Sequence, residues 1–144
     1  MSVTNFPGDS PSNPQGINGP FHVKETLRDT EAAGAANYEV FFIADRPYEL
    51  IEAYEVHRVL GTDVGAVSLT VEKLTGTQAL GAGVEMLVST WDLKAIINTV
   101  VTKAATATVA NKKLAKGDRM ALKDTGVLTA VAGVVVVVKL AAID

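Results

Sequence analysis

At 144 residues the chain has room for one domain with a sizeable core and is short for two. The absence of cysteine excludes disulfides and thiolate metal sites, and a net charge of −3 argues against electrostatic nucleic-acid binding over the whole surface. Aromatics are 6% and charged residues 20%, with Val, Ala, Thr and Gly abundant, which is a β-rich globular composition rather than a disordered one. Charge is unevenly spread: residues 1–72 hold 4 basic and 11 acidic groups, residues 73–144 hold 9 and 5. Ordinary surface charge accounts for this, with steering of a partner as the sharper alternative.

The first 20 residues, MSVTNFPGDSPSNPQGINGP, hold four of the five prolines, with Gly, Ser and Asn between them. Phe6 and Ile17 are their only large apolar anchors, so the segment cannot offset its ordering entropy by itself. It reads as an extended N-terminal arm (residues 1–20), either a tail or a peptide that orders against a partner through Phe6 and Ile17. No basic residue precedes Lys24 and no early apolar run occurs, so no secretory signal is expected in this chain.

From Phe21 the pattern is strand, turn, strand. FHVKETL alternates Phe21, Val23 and Leu27 with polar residues, and NYEVFFIAD places Phe41, Phe42 and Ile43 together, which predicts burial on both faces. RPYELIEAYEVHRVLGTD fits either period: Tyr48, Ile51 and Tyr54 on a helix, or Tyr48, Leu50, Tyr54 and Val56 on a strand. GAVSLTVEKLTG is a strand with Val67, Leu69 and Val71 inward. Thr77 to Asp92 has mixed spacing and predicts a short helical turn within a loop, after which INTVVTKAATATVA returns to strand composition. LAKGDRMALKDTGV places Met120 and Leu122 on one face, and Asp124-Thr125-Gly126 reads as a hairpin turn into the next strand.

That next strand holds five consecutive valines, Val134 to Val138. Its apolar run, Ala130 to Val138, ends at Lys139 and is too short for a bilayer, which takes roughly 20 residues as a helix. Parity puts Val134, Val136, Val138 and Leu140 on a core face, and Val131, Val135 and Val137 on a second apolar face that needs another cover. A bulge at Gly133 would exchange the parity. About eight short strands with frequent turns and no long helix predict an all-β fold, an antiparallel jelly-roll β-sandwich, over residues 21–144.

Chemical motifs are sparse. His22 and His57 lie in no metal-ligand spacing, and both read as solvent-facing or locally hydrogen-bonded. Glu49, Glu52 and Glu55 could supply an acid pair, but a strand or a helix alike favours a solvated surface. Neither a G-x-S-x-G elbow nor a phosphate loop occurs. Lys112, Lys113, Lys116 and Arg119 form a basic turn with no neighbouring aromatics, so a nucleic-acid platform is not expected there. No catalytic residue, metal or cofactor is expected.

The stretches RPYELIEAYEVHRVLGTDVGAVSLTVEKLTGTQAL, DLKAIINTVV and LAKGDRMALKDTGVLTAVAGVVVVVKL, taken in order, resemble the capsid decoration, cement or head-fibre proteins of tailed bacteriophages. The resemblance covers about two thirds of the chain and leaves the arm before Phe21 out. It implies a jelly roll, a strand from Tyr48 to Val59, and a homotrimer on the outer surface of the virion bound to the major capsid protein. From the charge, the sparse aromatics and the short apolar run, no nucleic-acid or membrane partner is expected. The uninterrupted valine run departs from the family pattern, which alternates Val with Thr. Under this reading the trimer interface would use Val131, Val135 and Val137, and the capsid contact Phe6 and Ile17. The alternative is a carbohydrate- or receptor-binding jelly roll of a virion fibre, with Trp91 or Tyr48 on exposed loops.

Overall fold

The computed structural model describes residues 9–10, 13–14, 20–26 and 40–143. The strands are β1 (Asp9–Ser10), β2 (Asn13–Pro14), β3 (Phe21–Thr26), β4 (Val40–Ile43), β5 (Tyr48–Val56) and β6 (Ser68–Leu74), followed by β7 (Val84–Glu85), β8 (Trp91–Asp92), β9 (Val101–Ala104), β10 (Lys113–Leu114), β11 (Arg119–Thr125) and β12 (Val135–Ala142). One short helix, α1 (Val109–Lys112), precedes β10. Among the described residues, β1 and β2 pair only with each other.

The remaining strands form two antiparallel sheets. In the first, β12 lies between β3 and β5, and β9 and β10 share the far edge of β5 in succession. In the second, β11 lies between β4 and β6, and β7 and β8 share the far edge of β6. Counting each shared edge as one place gives the eight-place order of a jelly-roll sandwich, with the chain changing sheets at nearly every connection. The core is apolar and drawn from both sheets: Tyr48, Leu50, Val136, Val138 and Leu140 from the first, Leu69, Val71, Met120 and Leu122 from the second.

Several expectations are corrected. The turn at Asp124-Thr125-Gly126 does not make a hairpin, because β11 and β12 belong to different sheets. Gly126 has φ +85 and a Cβ on it would come within 2.0 Å of the Ala66 carbonyl oxygen, so the chain leaves β11 in a close approach that only glycine permits. Residues 126–134 then cross between the sheets. Within that crossing Gly133 (φ +68) breaks the alternation: Val131 and Ala132 are both buried before it, and regular parity begins only after it.

The segment from Thr77 to Asp92 is not helical. The Glu72 carboxylate accepts the backbone N–H groups of Gly81 (2.7 Å) and Gly83 (2.9 Å), which folds the segment against the edge of β6 and buries Met86, Leu87 and Trp91. Ile43 is 66% exposed rather than covered, because β4 is an edge strand. The ambiguous stretch from Tyr48 is strand to Val56. It carries a bulge in which Ile51 and Glu52 together oppose Lys139.

Candidate functional site

Val135 and Val137 lie on the outer face of the first sheet, half-buried, with Val56 and Tyr54 opposite them on β5. The Tyr54 ring reaches across β12 toward His22 (centroids 6.3 Å apart), and its hydroxyl donates to the Glu52 carboxylate. Glu52 also faces Lys139 at 3.7 Å. The two valines thus form a small apolar strip inside a polar surround supplied by the chain itself. That hydrogen bond to Glu52, ahead of burial and the carboxylate charge, raises the Tyr54 pKa. Val131 does not belong to this face: it is 1% exposed and packs in the chain's own core, because the turn at Gly133 reverses the parity assumed for it. Phe6 and Ile17 lie outside the described residues.

The bulge in β5 also separates the three glutamates. Glu49 and Glu52 face outward, Glu49 pairing with Lys112 at 3.0 Å. Glu55 instead points into the sandwich and is 1% exposed, which overturns its reading as a solvated residue. His57 is equally buried, so it is locally bonded and not solvent-facing: its Nδ1 lies 2.9 Å from Glu55 Oε1. Burial raises the Glu55 pKa, and the charge and hydrogen bond of His57 oppose that rise. His57 Nε2 is buried without a hydrogen-bond partner among the described residues. No cluster of three or more metal-ligating side chains occurs among the described residues.

Beside Glu55 is a cavity of about 250 Å³ at the edge of the sandwich, lined by Trp91, Asp92, Ile96, Val101 and Lys103 among others. Trp91 is 1% exposed and its indole N–H donates to the Val101 carbonyl at 2.9 Å, so it is a core residue and offers no exposed stacking platform. Tyr48 is buried as well, packed edge-on against Phe21 and Phe42 with its hydroxyl on Asp45. Its pKa is raised chiefly by that burial. The basic turn is dispersed over structural contacts: Lys112 pairs with Glu49, and the Arg119 guanidinium donates to the carbonyls of Gly76 and Gln78.

One end of the sandwich carries exposed apolar side chains on tightly bonded loops. Val59, Leu60 and Val64 come from the loop after β5, and Ile96, Ile97 and Val100 from the loop after β8. The two loops are laced together: Asn98 N–H donates to the His57 carbonyl at 2.8 Å, Gly61 N–H to that of Leu93 at 2.9 Å, and Lys94 Nζ to those of Asp63 and Gly65. Asp63 in turn accepts the Val127 N–H at 3.1 Å. This rim was not singled out from the sequence, where Ile97 and Val100 fall in a stretch of strand composition. Glu72 was also passed over; the nearby Gly81 and Gly83 were its only signal.

No family model matches the chain, and no curated protein matches its sequence. Among solved structures it is similar to a chain from the capsid of Ralstonia phage GP4, at 14% identity and a TM-score of 0.61, over 91% of this chain and 88% of that one. At that identity the likeness is one of fold.

Proposed function

We propose that the chain is a capsid decoration, or cement, protein that sits as a trimer on the outer surface of a phage head and stabilises contacts between major capsid protein subunits. The observation that supports this most is the jelly roll shared over 91% of the chain with a chain of a phage capsid. The work requires no catalytic group. A trimer presents each contact three times, so weak contacts combine through effective concentration. Binding across subunit boundaries shifts the equilibrium toward the assembled shell.

In this reading the strip of Val135 and Val137 is covered by a second subunit, and the arm of residues 1–20 reaches the shell through Phe6 and Ile17. The test is sedimentation of the purified protein with phage heads that lack it. Saturable co-sedimentation of the full chain is expected, with retention at least tenfold weaker after deletion of residues 2–20. Absence of co-sedimentation would refute decoration, and equal retention of the truncated chain would refute the role of the arm.

A further inference from the structure

The apolar rim lies at the end of the sandwich where β5 finishes at Val56, level with Val135 and Thr26, and its loops turn polar groups inward. The tip after β5 shows this most clearly. Lys94 Nζ donates to the carbonyls of Asp63 (2.6 Å) and Gly65 (3.1 Å), on either side of Val64, while the Asp63 carboxylate accepts the N–H groups of Val64 (2.8 Å) and Val127 (3.1 Å). Both charged side chains brace backbone, and the residue they present to solvent is a valine, 99% exposed. The loop after β8 repeats the pattern: the Asp92 carboxylate accepts the Lys94 N–H at 2.9 Å, and Ile96, Ile97 and Val100 face outward. With Val59 and Leu60 they make an apolar patch of roughly 500 Å², near the largest that a typical monomer exposes. Because the loops are already braced, a partner seated here does not have to order them.

The extent of the patch bears on what covers it. A stable pair buries about 800 Å² on each partner, so two free chains meeting rim to rim through this patch alone fall short. A shell that receives the rims of several chains at once does not depend on one such contact. With Asp63 and Lys94 committed to backbone, the matching surface is apolar rather than charged. We propose that the rim docks on an apolar patch of the major capsid protein, led by Val64 and Ile96. The identity of that partner rests on the decoration reading. The arm is rooted at the other end, beside Phe21, yet 20 extended residues reach about 65 Å, roughly twice the ~30 Å length of β5, so arm and rim can engage one shell.

Heads lacking the protein are sedimented with the full chain and with its variants Val64→Asp, Ile96→Asp and Val109→Asp. Val109, 53% exposed on α1 at the opposite end, controls for an added charge. All three side chains are more than half exposed, so circular dichroism matching the parent is expected. Should Ile96→Asp fail to fold, Val64→Asp decides alone. Retention at least fivefold weaker is expected for each rim variant, and within twofold of the parent for Val109→Asp. Rim variants retained within twofold of a parent that binds would overturn the rim contact and leave decoration standing. Equal loss in Val109→Asp would overturn it as a general effect of charge, and a parent that does not bind refutes decoration and the rim contact together. Sedimentation equilibrium and flotation with phosphatidylcholine vesicles separate the other occupants. A lower mass for Val64→Asp would make the rim a contact between copies, and flotation of the parent that is lost in Val64→Asp would make it a lipid contact; either would overturn the capsid protein as occupant.

Discussion

Glu55 and His57 share one hydrogen bond inside the sandwich, and the sign of their effect on stability follows from which state holds the proton. Burial raises the Glu55 pKa above its ordinary value, with His57 opposing. The folded chain therefore keeps that proton to higher pH than the unfolded chain, whose carboxyl titrates near pH 4.5. The contribution of Glu55 is complete below that pH and is lost as pH rises through the folded value. Glu55→Gln keeps a hydrogen-bonding group beside His57 Nδ1 and cannot ionise. Urea unfolding should find the variant more stable than the parent at pH 7 by about 1 kcal/mol, with the two converging as pH falls to about 4. A variant less stable at pH 7 would mean that the ionised Glu55 carboxylate, rather than its neutral form, holds this region together.

The valine strand shows what alternation can and cannot settle. After Gly133 it held: Val134, Val136, Val138 and Leu140 are core, because β12 is a regular strand paired on both sides. Before Gly133 it failed for Val131, since an alternating pattern presumes a continuous strand and says nothing of a crossing with φ +68 in it. The same limit applies to Glu55, which a bulge at Ile51 moved to the inner face, and to Asp124-Thr125-Gly126, whose local turn signal does not reveal which sheet the next strand joins. Met120, Leu122, Leu69 and Val71 were legible because nothing interrupts their strands. The remaining parity makes a paired prediction. Val136→Lys places an unpaired charge in the core and should cost several kcal/mol, seen as loss of the folded circular dichroism signal. Val135→Lys, on the outer face, should cost about 1 kcal/mol or less in the isolated chain and act on assembly, read by light scattering. Equal unfolding by both would refute the assignment of faces.

At the scale of the molecule, the jelly roll interleaves the two halves of the sequence. Acidic β5 from the first half is flanked by β10 and β12 from the second, and Glu49–Lys112 and Glu52–Lys139 pair across the seam. An asymmetry that looks like a dipole along the chain is thus partly neutralised in the fold, leaving Val135 and Val137 as a modest apolar strip within a charged surround. Such a strip gains little by its own area, so its value to the fold depends on whether a second subunit covers it. That dependence is measurable through mass action. If folding and trimer formation are coupled, raising the chain concentration a hundredfold should stabilise the assembled form by a few kcal/mol per trimer and lift the melting temperature by several degrees. In that case Val137→Lys, which would put three like charges into the proposed interface, should give a melting temperature independent of concentration and a lower mass by sedimentation equilibrium. A parent whose melting temperature does not move with concentration, and which sediments as a single chain, would remove the trimer from the reading while leaving the sandwich intact.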